Sequence, residues 1–201
     1  MLDEENYPNI PKEDRWLYNK LAIAEKQDLV CGLREIPVPK HQHYIIRPIY
    51  NLSGLGLGAT KEYLTPNLTE QLVPKGYFWV EELYGKHISV DYTNGKPTLT
   101  VEGIKKQYTL KYWDKWVKIS NSKAPKPPEW LLAYLGKYTT VNVEYIGSSI
   151  VEVHLNRGNP DFEGHSYKEL IPVYDKLEEL ESYTFISSPE KEVGRLGFLA
   201  R

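Results

Sequence analysis

One cysteine, one methionine and no excess of charge of either sign leave little room for several kinds of function. Cys31 alone can form neither an internal disulfide nor a zinc cluster, so packing and hydrogen bonding must hold the fold. Lys plus Arg number 25 against 27 Asp plus Glu, and no global basic field exists to draw in nucleic acid or an anionic membrane. Any anionic ligand has to be met by local charge. No apolar run approaches the roughly 18 residues of a spanning helix. The opening "MLDEENYPNIPKEDRW" has neither a basic start nor an apolar stretch of the kind that directs secretion. The expectation is a soluble, cytoplasmic chain. Internal repeats and long low-complexity segments are missing too. A length of 201 residues at 41 % hydrophobic composition suits one compact domain with one substantial core, in one lobe or two.

What is present is a succession of short elements. "KEDRWLYNKLAIAEKQDLV" brings Trp16, Leu17, Leu21, Ala24 and Leu29 close to a helical period, with acidic residues in the first turn. That predicts one helix ending near Gly32. Two prolines make "LREIPVPKH" a connector to a strand over "HYIIRPIY". The run "GYFWVEELYG" opens as a strand, and "KHISVDYTNGKPTLTVEGI" alternates on both sides of Asn94-Gly95, a strong hairpin signal. Prolines in "NSKAPKPPEW" mark a surface loop ahead of a short helix over "EWLLAYLGKY". "TVNVEYIGSSIVEVHLN" predicts two alternating strands joined at Gly147-Ser148, and "SYKELIPVYDKLEELESY" a helix entered or interrupted at Pro172. This order gives an α+β fold built on antiparallel pairs.

Candidate chemistry begins with "IIRPIYNLSGLGLGA". Gly54, Gly56 and Gly58 bare the backbone, so that successive N–H groups can converge on an anion. Their spacing matches neither the P-loop nor the dinucleotide fingerprint, and a glycine loop alone is more often a hairpin or a lid. Arg47 strengthens the anion reading, because an arginine within an apolar strand must reach an edge or pair with an anion. A second constellation lies in "IVEVHLNRGNP". Period-2 geometry puts Glu152, His154 and Asn156 on one strand face, with Asn142 and Glu144 of the preceding strand beside His154 and Glu152 across the hairpin. The plain alternative is a solvated polar face. Against it, two close carboxylates repel unless a cation sits between them, and an oxygen-rich set suits Mg²⁺.

Two further stretches decide less by themselves. Glu81 and Glu82 follow an aromatic strand and resemble ordinary surface carboxylates. In "KYWDKWVK", Trp113 and Trp116 offer either a stacking surface or an amphipathic packing edge, the second being commoner.

In their order along the chain these segments resemble the ATP-grasp superfamily, from about Trp16 to Gly158. "YNKLAIAEKQDLVCGLREIPVPKHQHYIIRPI" is similar to its opening, with Lys20 and Arg47 at the two phosphate-side cations, and "NLSGLGLGA" to its glycine-rich lid. "WVEELYGKHISVDY" looks like the linker that meets adenine and ribose, which implies nucleotide binding by Glu81 and Glu82. "VNVEYIGSSIVEVHLNRG" resembles the closing metal hairpin, implying Mg²⁺ on Glu152 and His154 with Asn142 or Glu144, and Arg157 near the acyl phosphate. His154 stands where the superfamily generally has asparagine, and Arg157 is displaced by one position from the usual arginine. The resemblance implies a minimal single domain over residues 1–201, with one lobe about 12–80 carrying the lid 51–59 and a second about 81–201. It also implies an ATP- and Mg²⁺-dependent ligase that activates a carboxylate for attack by an amine. A nucleotide-binding protein without turnover, or an aromatic-rich interaction protein, are the competing expectations.

Overall fold

In the computed structural model, residues 3–50, 57–105, 110, 113–159, 161–162, 165–174, 180–191 and 194–201 are described. The chain begins with α1 (Asp3–Asn6) and a 3-10 segment at Lys12–Tyr18, then α2 (Lys20–Glu25). The expected single helix is thus two pieces. Asn19 is the reason: its backbone is extended, and its side-chain oxygen accepts the Ala22 N–H at 3.0 Å, starting a new helix by capping it. Strand β1 (Cys31–Leu33) occupies the place where that helix was expected to end.

Four strands make the first sheet: β1, β2 (Gln42–Pro48), β3 (Thr60–Leu64) and, after α3 (Thr69–Leu72), β4 (Tyr77–Glu81), in the order β1-β4-β2-β3. The proline connector is closed by Trp79, whose indole N–H is shared between the carbonyls of Leu33 and Ile36. The second sheet takes β5 (His87–Thr93), β6 (Lys96–Ile104), β7 (Lys115–Ile119) and, after α4 (Glu129–Lys137), β8 (Thr140–Ile146), β9 (Ser149–Leu155), β10 (Glu169–Val173), β11 (Thr184–Glu190) and β12 (Arg195–Ala200). Its order is β11-β12-β10-β7-β6-β5-β8-β9. Every strand pairing among the described residues is antiparallel. The fold is α+β with two antiparallel sheets, as the sequence implies.

The Asn94-Gly95 turn joins β5 to β6 with both residues at positive φ, 49° and 77°, the twist that suits a two-residue hairpin. The segment "SYKELIPVYDKLEELESY" departs from expectation. Glu169–Val173 is a strand, residues 175–179 lie outside the described set, and Glu169 and Leu170 pair with β7 while Leu170 to Val173 pair with β12. Pairing with β7 stops before Pro172, which has no N–H to give. Tertiary pairing here overrides a helix-rich composition.

Helix α2 joins the two sheets. Leu21 and Ala24 pack with Phe78 and Val80 of β4, whereas Ile23 packs with Val143, Ile150 and Val153 of β8 and β9. Gln27, just beyond it, donates to the carbonyl of Ile150 and accepts its N–H. This tie holds the end of α2 against the start of β9. Among the described residues no helix is long and apolar enough to cross a membrane.

Candidate nucleotide and cation site

A cleft of about 440 Å³ opens between the sheets, lined by Arg47 and Glu81 from the first and by Glu144, Glu152 and His154 from the second. Its size falls in the range of small-ligand pockets. The β8–β9 register is the one the alternation predicts: Asn142 lies opposite His154, and Glu144 opposite Glu152. The polar face is not solvated, however. Glu152 and His154 are 7 % and 5 % exposed, because α1, α2 and the 3-10 segment cover this edge of the sheet.

Burial without water requires partners for these groups. Lys20, the first residue of α2, places its Nζ 2.7 Å from Glu152 Oε1. Arg47 from β2 comes within 3.8 Å of Glu152 Oε2, an ion pair beyond hydrogen-bond length. Burial pushes both cations below their usual pKa, and Glu152 partly restores each. Glu144 accepts from His87 Nε2 at 3.0 Å. Burial alone would raise its pKa, but His154 and His87 hold it well below the ordinary carboxylate range.

His154 is the centre of the cluster. Its Nδ1 meets Asp3 Oδ2, and its Nε2 lies 3.9 Å from Glu144 Oε1 and 3.8 Å from Glu152 Oε1. Burial disfavours the imidazolium, yet the hydrogen bonds to Asp3 and Glu144 outweigh it and push the pKa up to about 10. Without a metal the ring is therefore a cation balancing three carboxylates. Arg157 Nη1 donates to the same Asp3 oxygen at 3.0 Å.

One atom from each of Glu144, Glu152 and His154 can be chosen so that all lie within 4.8 Å of one another. Two carboxylates and an imidazole backed by a second carboxylate form a donor set that fits a divalent cation, which would displace the ring proton on binding. Asn142 is differently engaged. Its amide donates to Ser89 Oγ at 2.8 Å and to Asp91 Oδ1 at 2.6 Å, and Asp91 in turn accepts the Asn159 N–H.

Of the remaining expected residues, Glu81 and Glu82 line the same cleft. Glu81 lines it while accepting the Val30 N–H, and Glu82 lines it while paired with Lys61 at 2.6 Å. Gly58 has a φ of 76°, a conformation suited to glycine. Gly54 and Gly56 lie outside the described residues. Trp113 and Trp116 form a packed edge of the cleft. They line the cleft with centroids 4.5 Å apart, His87 packs against both, and Trp116 also joins the core beneath.

Sequence reasoning missed Asp3, His87 and Lys105. Lys105 stands 4.0 Å from the Trp113 ring, and burial, partly offset by Glu144, brings its pKa down to about 8. For His87 a signal existed: His87, Ser89 and Asp91 alternate on one face, and the pairing of β5 with β8 brings that face beside Asn142 and Glu144. Nothing local marks Asp3.

No family profile and no curated protein matches the chain. Among solved structures it is similar to the ATP-grasp ligase PsnB complexed with minimal precursor, at 14% identity and a TM-score of 0.44, covering 77% of this chain and 56% of that one. It is similar to a putative ATP-grasp superfamily protein from Archaeoglobus fulgidus, at 13% identity and a TM-score of 0.48, with 92% and 64% covered. An L-amino acid ligase from Bacillus licheniformis gives 12% identity and a TM-score of 0.48, with 75% and 44% covered. The chain thus spans 44% to 64% of the length of these proteins.

Proposed function

We propose that this protein is an ATP-dependent ligase that uses a divalent cation, Mg²⁺ being the ion its motifs imply, to activate a carboxylate as an acyl phosphate. The observation that carries the reading is one cleft between two sheets lined by Arg47, Arg157, Glu144 and Glu152, with Lys20 reaching Glu152 from α2 and Arg157 held by Asp3. These charges neutralise one another in the free protein. An incoming triphosphate offers Lys20 and Arg47 a better anion, which frees Glu152, with Glu144 and His154, for the cation. Gly58, with Gly54 and Gly56 of the same loop, covers the phosphates, and Glu81 and Glu82 meet the nucleoside. Asn142 orients Asp91 rather than the cation.

The bound cation supplies charge neutralisation at the transferring phosphoryl group. An oxygen of the substrate carboxylate attacks the γ-phosphorus and ADP leaves; the amine then attacks the acyl carbon, loses a proton and expels phosphate. Arg157, 23% exposed, stands near the acyl phosphate and stabilises its charge. Closure excludes water from an intermediate that hydrolyses readily.

Isotope transfer tests this. With ¹⁸O-carboxylate substrates drawn from a panel of amino acids, ATP turnover should deliver one ¹⁸O into the released phosphate. ADP formation that never needs an acid, or unlabelled phosphate, contradicts the ligase. The pairing of His154 with Asp3 and of Lys20 with Glu152 favours one second reading, nucleotide binding without turnover, and under it ATP binds and no acid is consumed.

A further inference from the structure

We infer that Asp3 positions His154 as a nitrogen donor, so that the cation site takes a first-row transition-metal dication in preference to Mg²⁺. The inference rests on the cation site of the proposed function. Asp3 Oδ2 receives hydrogen bonds from both His154 Nδ1–H and Arg157 Nη1–H. Two donors on one oxygen fix the imidazole with Nδ1 turned away from the cleft and Nε2 turned toward Glu144 and Glu152. Metal bonds of about 2.1 Å let one ion touch donors up to about 4.2 Å apart. The separations of 3.9 and 3.8 Å from Nε2 to the two glutamates lie within that reach.

Asp3 is fully buried, and its Oδ1 meets no hydrogen-bond donor among the described residues. A buried carboxylate oxygen left in that state is unfavourable. Asp3 also arrives from 151 positions away in the chain to reach this ring. A carboxylate behind a ligating histidine raises the ring's basicity and holds its orientation. Mg²⁺ favours a shell of oxygens, whereas imidazole suits transition metals. With one nitrogen and two carboxylates the balance moves away from Mg²⁺.

The test uses MnCl₂ and MgCl₂ titrated by calorimetry into the nucleotide-free full chain, with ATP binding measured in parallel. Wild type should bind Mn²⁺ at least about tenfold more tightly than Mg²⁺. His154→Asn should remove that preference, and Asp3→Asn should weaken Mn²⁺ about tenfold or more while changing Mg²⁺ little. Spin-echo modulation from an imidazole nitrogen on bound Mn²⁺ should appear in wild type and vanish in His154→Asn. If Asp3→Asn fails to fold, Asp3→Glu takes its place and should retain Mn²⁺ binding within about threefold of wild type. Equal affinities, no metal binding at all, or nitrogen modulation that survives His154→Asn overturns the inference. Unchanged Mn²⁺ affinity in Asp3→Asn overturns the positioning role. ATP binding retained alongside any of these failures leaves the nucleotide reading standing, and its loss beside intact Mn²⁺ preference removes only that reading.

Discussion

Lys20 Nζ and Glu152 Oε1 lie 2.7 Å apart with both side chains at least nine-tenths buried. A lysine at the first position of a helix faces the positive end of its dipole, and burial adds a desolvation penalty. The pair holds only because each charge answers the other. Such a pair stabilises a fold weakly at best, and it puts two opposite charges where a ligand can separate them.

Breaking the pair from one side is therefore costly. Lys20→Met leaves Glu152 with Arg47 at 3.8 Å and His154 at 3.8 Å as its remaining partners. Because those partners still face the carboxylate, urea unfolding should show a loss below the roughly 3–5 kcal/mol of an uncompensated buried charge, about 1–3 kcal/mol. Adding Glu152→Gln should recover part of it, and a double variant no better than the single would contradict the pairing.

Glu144 and Asn142 are separated by mutation. Glu144→Gln should weaken Mn²⁺ binding by about tenfold or more, because it removes a donor charge. Asn142→Ser should leave the ion within about threefold, since its amide serves Ser89 and Asp91. The reverse order, read by calorimetry, would assign the first-strand ligand to Asn142.

The aromatic wall hangs on Gly103. A Cβ there would lie 2.5 Å from a Trp113 ring atom and 2.9 Å from one of Trp116, so Gly103→Ala must displace the indoles from the cleft. The expected loss is about 1–3 kcal/mol with a red-shifted tryptophan emission. Unchanged emission would show that the wall tolerates the methyl group.

Acid sensitivity has a structural source remote from the cleft. Burial alone would raise the Asp14 carboxyl, but hydrogen bonds from Lys137 and Tyr138 hold it below its ordinary value. A carboxyl lowered in the folded state contributes stability that is fully present above its unfolded pKa of about 3.9 and is lost as pH falls through the folded value. Asp14→Asn should lower stability at pH 7 by about 1–2 kcal/mol and flatten the decline below pH 4. A parallel pH curve for the variant would refute this.

Much of the site was legible because strands carry a period of two. The alternation of "VNVEY" and "IVEVH" around Gly147-Ser148 is enough to set Asn142 against His154 and Glu144 against Glu152. Lys20 was found through the order of the motifs, which no single spacing reveals, whereas Arg47 stood out as an arginine inside an apolar strand. What stayed hidden depends on distant contacts. The Asp3 contact with His154 has no local pattern, and β10 carries leucine, glutamate and a proline whose pairing with β7 and β12 decides its form. That the polar face of β9 is buried, rather than wet, likewise follows from distant side chains, Asp3, Lys20 and Arg47, meeting it.

The most direct measurement is calorimetric titration of ATP, with and without divalent cation, into wild type, Arg47→Ala and Glu152→Ala. ATP should bind wild type, Arg47→Ala should weaken it by about tenfold or more, on the order of the 1.5–3 kcal/mol of a charge-assisted contact, and the cation's enhancement should disappear in Glu152→Ala. Identical ATP binding in all three proteins would contradict the assignment of the site.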